Sequence, residues 1–193
     1  MRFQKTIHNF FGHSISIYLT KTPNIPTIGI TNETEDSYFV PFIDYDNIAY
    51  EKVLADLRHL HRVFGLCFFL VLQSKNNEDN TGNYAVMGID KLPYHLHKEM
   101  LTHTRCDSLY ITTNSLLHRK NWVLRIGGKG KREAPTLKDI LRFNSKCKYE
   151  HSTAHREFYT KFYDIYIPEN TFPSCNWDKY HQVEIIEYQT AKP

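Results

Sequence analysis

Residues 67–72 read CFFLVL, six apolar positions in succession, and Gln73 and Ser74 follow. A strand with one face in water alternates apolar and polar residues, whereas a run with no polar face reads as a strand buried on both sides. The chain therefore has to build a sheet around 67–74 and cover both of its faces. With 193 residues it is long enough to bury such a core in a single domain.

The flanking segments supply the layers. In residues 48–64, Ala49, Val53, Leu57, Leu60 and Phe64 recur at three- and four-residue steps, which predicts a helix that Gly65 stops. SISIYL, TIGI, SYFVPFID and YAVMGI read as strands, and Pro93 opens a helix to about His103. SLYITT and NWVLRI read as strands, TLKDILRF as a short helix, 152–164 as helical and QVEIIEY as a last strand. The expectation is an α+β domain with a mixed or antiparallel sheet and an N-terminal strand section packed alongside.

The N-terminal residues lack the apolar core and small-residue cleavage site of a signal peptide, and no stretch reaches the ~18 apolar residues of a membrane span. A cytosolic or nuclear location without a membrane partner is the default expectation. In that setting the four separated cysteines, Cys67, Cys106, Cys147 and Cys175, read as free thiols. The net charge of +3 permits a nucleic-acid partner without arguing for one. His118, Arg119, Lys120, Arg125, Lys129, Lys131 and Arg132 gather in fifteen positions free of acids, either a solvated loop or a phosphate-binding stretch.

Two acids end an apolar strand in FIDYD. Strand alternation points Asp44 and Asp46 the same way, with Tyr45 opposite. Like charges held that close favour a bound cation, and hard divalent ions take carboxylate oxygens. The competing reading makes Asp46 the cap of the following helix and Asp44 a solvated edge residue. Further along come Ser74 at a strand end, the loop NTGN, a third acid at Asp107, and Arg125 before a glycine loop with Lys129 and Lys131. Three carboxylates and a basic glycine loop are the parts that two-metal nucleotidyl transfer uses. Asp90 rivals Asp107 as the third acid; Asp107 is preferred because it precedes the segments leading to the Arg–Gly–Lys loop.

In order and spacing these motifs resemble the archaeo-eukaryotic primase superfamily, which includes the primase–polymerases. The first motif is FIDYD, the second QSKNNEDNTGNYAVMG and the third CDSLYITTNSLLHRKNWVLRIGGKGK, all within residues 38–135. The resemblance implies one primase-like, RRM-related domain over 1–193. Asp44, Asp46 and Asp107 would hold two Mg²⁺ or Mn²⁺ ions. Ser74, Asn83, Arg125 and Lys129 would bind a nucleoside triphosphate, and Arg119, Lys131 and Arg132 a single-stranded template. It further implies a replication role in a virus or plasmid (then in the host cytoplasm), with a helicase in trans. The sequence departs from the family pattern where the second motif has a histidine; Ala85 stands there, or Tyr84 if the register slips by one. That departure keeps open a primase-like protein that binds nucleotide or single strands without turnover.

Two other patterns compete. His95 and His97 invite comparison with the HUH endonucleases, which place two histidines on a strand; here they fall in a predicted helix, and Tyr159 and Tyr163 lack the expected YxxK. Cys147, His151, His155 and Cys175 suit a Cys₂His₂ zinc site in a small accessory region over 145–180, or are a helix-face histidine pair with unrelated thiols.

Overall fold

The computed structural model describes residues 2–10, 13–20, 27–116, 122–128, 132–143, 147–167 and 185–190. Among the described residues the chain is α+β, with four helices and antiparallel sheets.

The apolar run becomes β5 (Phe68–Asn76), the middle strand of a five-stranded sheet. That sheet is ordered β4 (Phe42–Ala49), β6 (Thr81–Gly88), β5, β8 (Thr136–Phe143), β9 (Ile185–Thr190). Between β4 and β5 runs α1 (Tyr50–Phe64), ended by Gly65 in the left-handed region at φ 74°. Because β6 is antiparallel to both β4 and β5, those two run parallel with β6 between them, a split β-α-β unit. One face, carrying Ile43, Tyr45, Phe69, Val71, Val86 and Leu141, packs on Val53, Leu57, Leu60 and Phe64 of α1. The alternate residues, Phe42, Leu70, Leu72, Ala85, Met87 and Ile140, form a second core with Leu124, Ile126 and Tyr159. Period-two alternation thus buries β5 on both sides, as its sequence requires.

The second core is closed by β7 (Val123–Arg125), which belongs to a four-stranded sheet ordered β1 (Arg2–Phe10), β2 (His13–Thr20), β3 (Thr27–Thr31), β7. It is also closed by α4 (Thr153–Tyr163), which carries Tyr159. α2 (Tyr94–Thr102) follows Pro93, which stands just before the helix rather than as its first residue.

Two element assignments are corrected. SLYITT is not a strand but the start of α3 (Ser108–Leu116). Both Asp107 oxygens accept backbone N–H groups of the first turn, from Leu109 at 3.2 Å and Tyr110 at 3.1 Å. An N-cap carboxylate of this kind outweighs the β preference of Tyr, Ile and Thr. TLKDILRF is not a helix but β8, paired with β5 from Phe68 to Gln73. Eight residues with Leu137, Ile140, Leu141 and Phe143 satisfy either period, and the open edge of β5 decides between them. The strand β1 carries no apolar pattern that the sequence reading used.

The expectation of four free thiols also fails, because Cys67 and Cys147 are disulfide-bonded across a Cα–Cα distance of 5.5 Å. Tertiary hydrogen bonds join these distant segments: Phe143 N–H donates to Cys67 O and Lys148 N–H to Gly65 O. Cys106 is a free, buried thiol. Among the described residues no helix is long and apolar enough to cross a membrane.

Candidate active site

Asp44 lies on β4, an outermost strand of its sheet, level with Ala85 on β6 and Leu72 on β5. It shares their face, at the polar end of the second core. Beyond it the pairing slips: Tyr45 faces Tyr84, Ile48 faces Gly82, and Asp46 and Asn47 together oppose Asn83. This bulge puts Asn47 at φ 53°. Asn83 braces it from both ends of its amide. Its Nδ2 donates to Asp46 Oδ1 at 2.6 Å, and its Oδ1 accepts Asn47 N–H at 3.1 Å. The helix-cap reading of Asp46 is excluded, since α1 begins at Tyr50 with no side-chain cap.

Asp107 reaches the same place from another part of the chain. Its backbone N–H donates to Asp44 O at 2.6 Å. Arg105, two residues earlier, is clamped to Asp56 of α1 by an ion pair and by its own N–H, 2.7 Å from Asp56 Oδ2. The Tyr45 hydroxyl donates to the same oxygen at 3.4 Å. Asp56 thus ties the segment carrying Asp107 to the helix behind β4. The sequence reading missed this residue, although an acid inside the apolar stripe Val53, Leu57, Leu60 was the available signal.

The electrostatics record the convergence. The Asp44 carboxyl is pushed up to about 7, first by burial, then by Asp46 and Asp107, with Arg125 opposing. Arg125 in turn is lowered by burial and by Arg132, while Asp44 acts the other way. The Arg125 guanidinium donates to Gly127 O and Glu133 O, at 3.1 and 3.3 Å, which turns it along the loop after β7.

Carboxylate oxygens are the donors that a hard divalent cation takes. Asp46 and Asp107 each have lone pairs beyond those their hydrogen bonds use, and among the described residues no side-chain donor is placed on the Asp44 carboxylate. The three carboxylates stand more openly than Cys67, Asp90 and Cys147, whose ligand atoms all lie within 4.8 Å of one another.

Ser74 is exposed at an irregularity in β5, at the end of the sheet that holds Asp46 and Asn83. Arg132 is exposed near Arg125. Arg119, Lys129, Lys131 and Cys175 lie outside the described residues. Asp90 cannot serve as the third acid of this group, because it follows the opposite end of β6 and accepts Cys67 N–H at 3.1 Å. Of the Cys147, His151, His155, Cys175 set, Cys175 lies outside the described residues and two of the others are engaged elsewhere. Cys147 is bonded to Cys67, and His155 engages Ser152 Oγ through Nδ1 and Thr31 O through Nε2. His95 and His97 lie on α2, where His97 is fully buried and held down to about 3 by desolvation, not presented from a strand. His61 is buried and stacks on Phe143 at 4.4 Å.

The Asp44 titration is directly measurable. Its folded pKa is raised from the ordinary 3.8 of a free aspartate, so its neutral form stabilises the fold fully below about pH 4, and that contribution is lost as pH rises through about 7. The ¹³C carboxyl resonance of Asp44 is expected to titrate near 7, and Asp46→Asn should move its midpoint down. An unchanged midpoint would mean that the two acids do not interact.

The fold and this site define an α+β protein with three acids and an arginine gathered at the rim of an antiparallel sheet. No family model, curated protein or solved structure matches the chain.

Proposed function

We propose that this protein is a template-dependent nucleotidyl transferase of the primase or primase–polymerase type, with a primase-like, RRM-related sheet. The observation that carries the reading is the meeting of Asp44, Asp46 and Asp107, from separate segments, beside Arg125. The split β-α-β unit supports it by setting the acid-bearing strand next to β6, where the second motif falls.

Bound Mg²⁺ or Mn²⁺, as a pair, would supply an activated 3′-hydroxyl and charge neutralisation at the triphosphate and leaving pyrophosphate. The chain's own part is positional. Asp44, Asp46 and Asp107 hold the ions, and Asn83 fixes the Asp46 carboxylate. Arg125 orients phosphate oxygens, with Ser74 and Lys129 as further nucleotide contacts. Arg132, Arg119 and Lys131 follow the template backbone and make binding salt-dependent. The partners are nucleoside triphosphates, a single-stranded DNA or RNA template and, in a small virus or plasmid replicon, a helicase acting in trans.

Ala85 favours a second reading, a primase-like module that binds nucleotide or single strands without turnover. Ala85 is level with Asp44, where a histidine side chain would face the same site. Divalent-dependent incorporation of labelled nucleotide on a single-stranded template separates the two readings. Metal-dependent nucleotide binding with no incorporation selects the second. In an active protein, Ala85→His should add one phosphate hydrogen bond and lower the nucleotide KM by about 2- to 150-fold, the equivalent of roughly 0.5–3 kcal/mol. An unchanged KM would remove position 85 from the nucleotide site.

A further inference from the structure

We propose that Cys67, Cys147, Asp90 and His151 form a zinc site in the reduced protein, and that the Cys67–Cys147 disulfide is its oxidised, metal-free state. The site lies at the end of β6 away from the acids and is independent of nucleotidyl transfer.

The four residues come from three segments that the fold locks together. Cys67 precedes β5, Asp90 follows β6, and residues 147–152 cross both ends. Asp90 and His151 form an antiparallel bridge, Lys91 N–H donates to Glu150 O at 2.8 Å, and Ser152 N–H donates to Ile89 O at 2.7 Å. The backbone holding the ligands is therefore fixed by contacts that involve no sulfur.

Asp90 is the anomaly that points to a cation. It is fully buried, yet only Oδ2 accepts a hydrogen bond, from Cys67 N–H, while Oδ1 has no hydrogen-bond partner. A buried carboxylate oxygen left in that state is costly unless a positive charge faces it. One carboxylate oxygen of Asp90 and the sulfurs of Cys67 and Cys147 all lie within 4.8 Å of one another. His151 Nε2 stands 3.5 Å from Asp90 Oδ1. Two ligands each ~2.0–2.1 Å from a tetrahedral zinc lie roughly 3.3 Å apart, close to that separation, and His151, which is outside the group of three within 4.8 Å, has only to close on the sulfurs. Two thiolates, an imidazole and a carboxylate are all ligands that Zn²⁺ accepts.

The exchange balances. A small-molecule dithiol breaks the S–S bond and is itself oxidised to a disulfide, leaving two thiols on the protein. Zn²⁺ then takes both as thiolates and releases two protons.

The full chain, reduced with a phosphine and incubated with Zn²⁺, is expected to retain one zinc per chain after excess metal is removed. The oxidised chain should retain none, and Cys67→Ser and Cys147→Ser should each bind at least ~100-fold more weakly. Co²⁺ added to the reduced, unmutated chain should give the sulfur-to-metal charge-transfer band and the intense visible bands of a tetrahedral thiolate site. That spectrum reads ligation directly, even if a serine variant folds poorly. Asp90→Asn and His151→Gln should each weaken binding about tenfold or more. The proposal is overturned if cobalt shows no thiolate band, if the oxidised chain binds zinc equally well, or if both Asp90→Asn and His151→Gln bind as tightly as the unmodified chain.

Discussion

Replacing Asp44 and Asp46 together by alanine is expected to lower metal-dependent nucleotide incorporation by about three orders of magnitude or more, while the protein remains folded. Charge stabilisation by a metal at a transferring phosphoryl group is worth several kcal/mol, and each 1.36 kcal/mol is a factor of ten in rate. The fold should tolerate the change. Asp46 is exposed, and Asp44 carries a burial and repulsion penalty that alanine removes. The double variant should therefore melt no lower than the parent near neutral pH. A folded double variant that still extends primers would refute the catalytic assignment. A variant that loses incorporation and also loses its circular-dichroism signal would give the acids a structural role instead.

Trp122→Ala is expected to produce the largest loss of stability, about 3–5 kcal/mol, the usual cost of emptying a fully buried aromatic site. Trp122 has no exposed surface and stands edge-on to His97 of α2 at 5.2 Å and to Tyr110 of α3 at 5.3 Å. Its backbone is gripped by Asn32, whose side chain accepts Trp122 N–H at 2.8 Å and whose N–H donates to Trp122 O at 3.0 Å. The ring thus joins α2 and α3 to the strand bearing Arg125. Urea unfolding measures the change, and a loss below about 1 kcal/mol would show that the surroundings close over the gap.

What the sequence made legible follows from interaction range. β5 and α1 could be read because uninterrupted apolarity in one and three- and four-residue spacing in the other are local signals. α3 and β8 were exchanged because each is short and holds residues acceptable to both periods. An aspartate cap settled the first and an available strand edge the second, and neither is a property of the segment alone. At the site, Asp44 and Asp46 were visible as a strand-end pair and Asp107 as an acid before an element. The bulge at Asp46–Asn47, its Asn83 brace and the Asp56–Arg105 clamp join residues 36 to 49 positions apart and left only the misplaced acid at 56 as a trace. The pairing of Cys67 with Cys147 was not legible because the two lie 80 residues apart, far beyond any motif spacing.

The outermost position of β4 has a consequence for self-association. A free strand margin invites a second copy to extend the sheet, and proteins discourage this with charge, irregular backbone or a covering segment. β4 has all three: two carboxylates, the two-for-one slip at Asp46–Asn47, and Asp107 N–H occupying the Asp44 carbonyl. The grouping suited to a cation is also one that opposes a second copy along that margin, and neutralising the carboxylates removes one of its three barriers to stacking.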